Sequence, residues 1–321
     1  MDSVAPQRAL LLVNSKSRRG RQLLGRAIAI LDEMGFELIF RSTKRSSDFR
    51  DLIRQYASRI DCVIIGGGDG TLNAALPALI ETRLPLGILP LGTANDLART
   101  LAIPADLKQA CAVVAQGVTK AIDVGQVNDR YFFNVASLGL SVSITRQLSG
   151  EIKKRWGVFA YAIAAIQALW KSRPFTAKIE VNGELLTVKT VQIAVGNGRY
   201  YGGGLSVAWD ASIDDQRLDL YSLEIAHWWQ MLPLLPAMHA GRLNDCVNVR
   251  TIEATSLKII TSRPKSINTD GELSTTTPAE FRVLPAQLKV FVPAARSSSI
   301  QSSSAQSNNP QSNNTQSNNL D

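Results

Sequence analysis

The first third of the chain alternates two kinds of hydrophobic pattern. Ala9-Leu10-Leu11-Leu12-Val13 is a continuous apolar run of strand length, closed by the polar turn Asn14 to Gly20. Leu23, Leu24, Ala27, Ile28 and Leu31 then recur at helical spacing, which predicts a helix over Leu23 to Met34. Glu37 to Arg41 reads as a second strand, and Phe49 to Ser58 as a second helix opened by Ser47-Asp48. Cys62 to Ile65 predicts a third strand that runs into glycines. Thr71 to Glu81 predicts a third helix, and Leu86 to Leu89 a fourth strand ending at Pro90. Strand and helix in alternation predict a parallel sheet with helices on both faces.

Near Asp123 the pattern changes to short, β-rich segments separated by turns. They are Ala121 to Val127, Tyr131 to Ala136, Phe175 to Val181, Leu185 to Val195, Arg217 to Leu223, Leu257 to Thr261, Phe281 to Leu284 and Leu288 to Val292. Asn182-Gly183 between two alternating runs is a hairpin signal. Helical insertions are expected at Lys153 to Lys171 and Trp228 to Ala240. The expected organisation is an α/β domain over residues 1–122, completed by a C-terminal strand near 286–293, and a β-rich domain over 123–285 built mainly from antiparallel strands. From Ser297 onward the composition collapses to Ser, Asn and Gln, which buries too little surface to offset its ordering entropy, and residues 294–321 are read as a disordered tail.

Composition narrows this picture only a little. The 321 residues suffice for two domains, and 45% hydrophobic content supports a core in each. A net charge of +8 asks for an anionic partner; nucleic acid, anionic membrane and a phosphorylated substrate all carry the right sign. Cys62, Cys111 and Cys246 lie far apart among apolar neighbours, so buried, reduced thiols in a reducing cytoplasm are expected rather than a metal or disulfide framework. The N-terminus has no signal-peptide layout, and the longest apolar stretch, Trp156 to Trp170, falls short of the roughly 20 residues a spanning helix needs. The two histidines, His227 and His239, both sit in an apolar helical insertion, which disfavours a Ser-His-Asp or histidine-metal mechanism.

Two segments carry candidate chemistry. Gly66-Gly67-Gly68-Asp69-Gly70-Thr71 follows a strand and opens a helix, so the backbone can approach an anion to which the helix start presents its amides. Thr71 adds a hydroxyl. Taken alone, the same segment serves equally as a tight strand-to-helix turn. It lacks the spaced glycines and terminal Lys-Ser/Thr of the mononucleotide P-loop, and Thr71 stands where the last glycine of G-x-G-x-x-G belongs. Leu91-Gly92-Thr93-Ala94-Asn95-Asp96-Leu97-Ala98-Arg99 also follows a strand, bringing a second flexible backbone and hydroxyl to the carboxyl edge of the same sheet, where open α/β sheets bind ligands. Two such loops on one sheet are more specific than either alone.

GGGDGTLN, LGTANDLAR, Asp123-x-Gly125 and Asp270-Gly271-Glu272, in that order, resemble the diacylglycerol kinase catalytic-domain family, which includes bacterial lipid kinases and sphingosine kinases. The resemblance runs over residues 8–293; GGDGT alone is shared with NAD kinases and phosphofructokinases. It implies a Rossmann-like, NAD kinase-like α/β nucleotide-binding domain followed by a mainly antiparallel β-sandwich. The implied activity is Mg²⁺-dependent transfer of a phosphoryl group from ATP to a lipid hydroxyl. Position by position it implies that Gly66, Gly67, Gly68, Asp69, Gly70, Thr71, Leu72 and Asn73 bind ATP. Thr93 and Asn95 join them from the second loop, Thr43 from the end of the second strand and Asn14 from the first, with Ser15 where the family has Pro. Glu272 is implied as the proton acceptor and Asp270 as a supporting or metal-linked group, while Ser212, Asp215 and Arg217 resemble a magnesium site of one carboxylate and backbone carbonyls. Three departures stand out: Ala74 replaces the Glu that follows Asn, Gln216 replaces the Gly of Asp-Asp-Gly, and Trp209 stands where Pro is typical.

A lipid acceptor implies contact with a membrane surface. Lys153-Lys154-Arg155-Trp156 and Trp170-Lys171 flank an apolar body that suits either an interfacial helix or packing on the second domain. Tyr200-Tyr201-Gly202-Gly203-Gly204 resembles part of an acceptor cleft, or is a strand-connecting bend. The expected partners are ATP and a lipid reached peripherally from the cytoplasm, without nucleic acid; the oligomeric state stays open, a homodimer among the options. The rival readings are an NAD kinase-like enzyme with a soluble acceptor, against which LGTANDLAR speaks, and a catalytically silent lipid- or nucleotide-binding module.

Overall fold

A computed structural model describes residues 7–14, 18–43, 45, 48–147, 173–198, 200–201, 205–206, 212–225, 230, 246 and 248–294. The two expected helical insertions apart from Gln230, both histidines, Trp209, Ser15, most of the Tyr200–Gly204 turn and the C-terminal tail beyond residue 294 lie outside the described residues.

The chain opens with β1 (Gln7–Asn14), α1 (Arg18–Glu33), β2 (Phe36–Thr43), α2 (Phe49–Tyr56), β3 (Cys62–Gly67), α3 (Asp69–Thr82), β4 (Leu86–Pro90), α4 (Asp96–Thr100) and α5 (Leu107–Ala115). Strands β2, β1, β3 and β4 lie side by side and parallel. The apolar runs of β1, β3 and β4 are buried throughout because helices cover both faces of the sheet. Parallel pairing also brings the carboxyl ends of the strands to one edge: Asn14 pairs with Thr43, Val13 with Gly66, and Gly67 with Pro90.

The second half comprises β5 (Thr119–Val127), β6 (Arg130–Phe132), β7 (Val135–Gly139), α6 (Leu140–Gln147), β8 (Phe175–Val181), β9 (Glu184–Thr190), β10 (Gln192–Gly196), β11 (Tyr200–Tyr201), β12 (Leu205–Ser206), β13 (Leu218–Leu223), β14 (Val249–Ala254), β15 (Ser256–Thr261), β16 (Ser266–Thr269), β17 (Glu272–Thr276) and β18 (Ala279–Phe291). Strand β18 runs parallel to β4 and antiparallel to β5 and β15, so the first sheet continues as β2-β1-β3-β4-β18-β15-β8-β9. The second sheet, β14-β13-β10-β7-β16-β17, packs against its far part as an antiparallel sandwich. Ile179, Ile259 and Phe281 of one layer meet Leu138, Ile193, Val195 and Ile267 of the other. Alternation along β8 supplies one such inward face.

Several elements differ from the sequence-based expectation, each for a local reason. The run Tyr131 to Ala136 is two strands, interrupted where the amides of Phe133 and Asn134 turn to the Asp270 carboxylate. Leu185 to Val195 also divides, at Val191, because the chain there leaves the first sheet for the second, with the Thr190 hydroxyl bonded to the carbonyls of Gln192 and Leu223. Phe281 to Leu284 and Leu288 to Val292 belong to one strand, β18, with an irregularity between Leu284 and Leu288. Asn182 and Gly183 take φ of 51° and 81°, the left-handed pair a two-residue hairpin turn demands. Cys62 and Cys111 are buried, and burial pushes their thiols up to about 12 and about 11, whereas Cys246 is only half-buried. Among the described residues, no helix is long and apolar enough to cross a membrane.

Candidate functional site

The two glycine loops meet backbone to backbone at the carboxyl edge of the parallel sheet. A Cβ placed on Gly92 would lie 2.4 Å from the Cα of Gly68 and 2.7 Å from Oδ1 of Asn95, so only glycine permits this approach. The Leu91 amide donates to the Gly67 carbonyl at 3.1 Å. Gly68 stands at the N-cap of α3, and its carbonyl accepts from the amides of Thr71 (2.8 Å) and Leu72 (3.1 Å). The amides of Asp69 and Gly70 have no acceptor among the described residues. They are the free donors of a helix start, where the positive end of the dipole favours an anion.

Several side chains expected at a nucleotide are instead spent on building the loops. Asp69 Oδ1 accepts from the Leu97 amide at 3.0 Å and so ties the first loop to the start of α4. Asn95, left-handed at φ 51°, accepts from the Gly92 amide at 2.9 Å and donates to the Gly92 carbonyl at 3.0 Å. Leu72 is buried in the core. The side chains of Asp69, Asn95 and Leu72 thus build the loops, while the Asp69 amide stays free at the helix start. Thr71 lies against Gly67, and Thr93 is exposed at the tip of the second loop. Asn14 and Thr43, paired across β1 and β2, stand at the same edge; Thr43 Oγ1 is held in its turn by the Arg45 amide at 2.9 Å.

From the other side, the turn between β16 and β17 reaches over α3. Asp270, left-handed at φ 46°, has four donors on its carboxylate. Oδ1 accepts from the amides of Asn134 (3.0 Å) and Val135 (3.1 Å), and Oδ2 from the Phe133 amide (2.7 Å) and Asn73 Nδ2 (2.8 Å). Burial pushes the Asp270 carboxyl up to about 6 against the pull of those donors. With about four lone-pair positions on a carboxylate, all are taken, so Asp270 fastens the turn to α3 and to the β6–β7 junction. Glu272, two residues on, is exposed and points at the first loop: its Oε1 lies 3.2 Å from where a Cβ on Gly70 would be. Its carboxylate has no hydrogen-bond partner among the described residues. The bare glycine leaves the space between them open.

The turn from Ser212 to Arg217 forms a third cluster. Asp215 accepts from the amides of Ser212 (3.3 Å) and Arg217 (3.1 Å) and pairs with the Arg217 guanidinium at 3.4 Å. Gln216 takes the left-handed φ of 61° that glycine would supply, and its amide donates to Asp123 Oδ2 at 2.6 Å. The neighbouring Asp214 pairs with Lys120 at 2.8 Å; burial alone would raise its carboxyl, yet the bonds from Lys120 and Ser212 hold it below the ordinary value. Among the described residues, no three His, Cys, Asp or Glu side chains gather as a metal site. Asp215 Oδ1 accepts a single bond, from the Arg217 amide, which leaves one carboxylate lone pair that could serve a hard cation.

Two further residues matter that motif reading did not single out as site residues. Asp123, buried, clamps the amides of Gln216 and Ala286 (2.7 Å) with its two oxygens. Asn197, buried at the end of β10, donates to the carbonyls of Asp123 (3.1 Å) and Phe133 (2.8 Å). The Asp123-x-Gly125 motif marks the first; only its place in a Gly-Asn-Gly segment marks the second.

Comparison with known proteins matches this architecture half by half. Residues 8–127 match the diacylglycerol kinase catalytic domain, and residues 134–292 the YegS C-terminal NAD kinase beta sandwich-like domain. The chain is 30% identical over 301 residues to a diacylglycerol kinase of Bacillus subtilis (strain 168), covering 92% of this chain and 99% of that protein. It is 34% identical over 292 residues to a "Probable lipid kinase YegS-like" of Yersinia enterocolitica serotype O:8 / biotype 1B, covering 88% and 96%. A crystal structure of a diacylglycerol kinase from Bacillus anthracis str. Sterne superposes with a TM-score of 0.73 at 25% identity, covering 90% of this chain and 98% of that one. Matching family domains over both halves and relatives similar along nearly their whole length lead to one conclusion: the chain belongs to the diacylglycerol kinase family.

Proposed function

We propose that the chain is an ATP-dependent lipid kinase that moves the γ-phosphoryl group of ATP to a hydroxyl of diacylglycerol or a related lipid. The observation that carries this reading is the free Glu272 carboxylate facing Gly70 across the start of α3. It sets a proton acceptor beside unpaired helix-start amides, as phosphoryl transfer requires. In this reading the amides of Asp69 and Gly70, with the hydroxyls of Thr71 and Thr93, hold the ATP phosphates, while Asn14 and Thr43 border the nucleotide. Glu272 takes the proton from the lipid hydroxyl, whose oxygen then bonds to the γ-phosphorus as the bond to ADP breaks. Asp270 and Asn73 hold Glu272 in place. Asp215, with backbone carbonyls of Ser212 and Arg217, would hold a Mg²⁺ ion, which supplies positive charge to a site handling anions. The nucleotide part is taken as residues 1–122 closed by the strand near 286–293, and the acceptor part as 123–285. Contact with the membrane is peripheral, from the cytoplasm.

The test is ATP turnover with a panel of lipid vesicles, with NAD as the soluble alternative acceptor. Phosphate appearing in lipid is the expected result. Phosphate appearing only in NAD, or ATP binding without any phosphorylated acceptor, would replace this reading with one of its rivals. Glu272→Gln is expected to abolish turnover while ATP still binds; retained turnover removes Glu272 as the base.

A further inference from the structure

Three segments that matter to the site converge on one buried side chain. Asn197 is 1% exposed and follows directly on β10. Both hydrogens of its carboxamide are spent on carbonyls, one of Asp123 and one of Phe133, and its own amide donates to the Asn134 carbonyl at 2.8 Å. Two carbonyl acceptors fix the side chain's orientation, because the flipped amide would turn its oxygen towards both of them.

Each partner leads to a different part of the site. Phe133 and Asn134 give their amides to Asp270, two residues before Glu272. Asp123 gives its carboxylate to Gln216 and Ala286, fixing the 212–217 turn and the irregular part of β18. Asn197 itself runs on towards β11, which packs beside α4 of the second glycine loop. The segment 133–135 is therefore gripped by Asp270 on one side and Asn197 on the other.

The fixed orientation has a cost. Asn197 Oδ1 is buried without a hydrogen-bond partner among the described residues, and so is Oδ1 of Asn134. The latter lies 3.1 Å from where a Cβ on Gly198 would be. Leaving a buried acceptor unmatched is unfavourable, because the group gives up its bonds to water. An apolar residue would avoid that cost at Asn197 but would release the carbonyls of Asp123 and Phe133.

We propose that Asn197 is a positioning residue for phosphoryl transfer: by bridging Asp123 and Phe133 it holds the 133–135 segment, and through Asp270 the Glu272 carboxylate, in register with the phosphate loop. The inference rests on the kinase reading above. It predicts a defect in the chemical step rather than in ATP binding, since Asn197 touches neither glycine loop through its side chain.

The experiment compares the full chain with Asn197→Ala and Asn197→Asp, using diacylglycerol-containing vesicles and ATP. Calorimetric titration counts competent ATP sites, and kcat is expressed per site, so partial unfolding cannot imitate the effect. The expected result is a kcat per site lowered about 10- to 100-fold, the scale of a misplacement near 1 Å, with the ATP Kd held within about twofold. In Asn197→Asp an ionised carboxylate faces two carbonyls, so its deficit relative to wild type shrinks as pH falls and the protonated carboxyl regains a donor. That second variant serves where Asn197→Ala does not fold. A kcat per site within about threefold of wild type in both variants overturns the inference alone. A wild-type chain that phosphorylates no lipid overturns the kinase reading and the inference with it.

Discussion

Replacing Gly92 by alanine tests the meeting of the two loops directly. The added methyl would lie 2.4 Å from the Gly68 Cα and 3.0 Å from the Gly68 nitrogen, both backbone atoms that cannot swing aside. Carbon atoms settle at about 3.5–4.0 Å, so the loops must part by about 1 Å or more. Overpacking of this kind costs about 1–3 kcal/mol of stability. Its larger effect falls on geometry, because Thr93 would move away from the α3 amides. A shift near 1 Å lowers rate by about 100-fold, equivalent to about 2.7 kcal/mol of barrier. The assay is kcat/KM for ATP with lipid vesicles, read beside a thermal melt. Gly25→Ala is the control: Gly25 lies on α1 with nothing within 4 Å of an added Cβ. It should raise stability by about 1 kcal/mol through helix propensity and leave turnover unchanged. Should Gly92→Ala retain kcat/KM within about threefold of wild type, the close approach of the loops does not set the site and the reasoning fails.

Asp270→Asn should lower the melting temperature at pH 7, since an amide nitrogen would confront donors that now share a carboxylate. The wild-type carboxyl, raised to about 6 by burial from an ordinary value of about 3.9, is protonated more readily folded than unfolded. Its contribution to stability is therefore present below pH 4, is lost as pH rises to about 6, and is constant above that. Urea melts across this window should show that slope in wild type and a flatter one in the variant; equal slopes would assign the pH dependence to other groups. Asp215→Ala should weaken Mg²⁺ binding, measured by titration calorimetry, with little effect on ATP affinity in the absence of metal. Equal Mg²⁺ affinity in both proteins would place the ion elsewhere.

The parallel sheet was legible because its strands are buried on both faces and read as unbroken apolar runs, as in β1 and β3. Both glycine loops follow such runs, so their place at the carboxyl edge could be read as well. The polar strands β16 and β17 at one end of the second sheet, Ser-Ile-Asn-Thr and Glu-Leu-Ser-Thr-Thr, were not legible, having too little hydrophobic alternation to announce a strand. The work of individual polar residues was also hidden. Asp69 caps a helix start 28 positions away, and Asn197 reaches partners 64 and 74 positions back. Local pattern carries no trace of bonds across such separations. Gln216 illustrates the converse: it stands where the family has glycine, yet it adopts the left-handed conformation itself, at a cost of about 1–2 kcal/mol.

The strand β18 gives the parallel sheet its neighbour beyond β4, at Val290 opposite Leu86. About 200 residues of chain separate those two positions, and loop closure over such distances is slow compared with local pairing. During synthesis the β4 edge therefore emerges from the ribosome unpaired and stays so until nearly the whole sandwich has been made. An open apolar edge invites pairing with other chains, so yield in the cell should depend on how quickly the ribosome delivers β18. Nonsense products that stop before residue 279 should aggregate rather than persist as half-proteins.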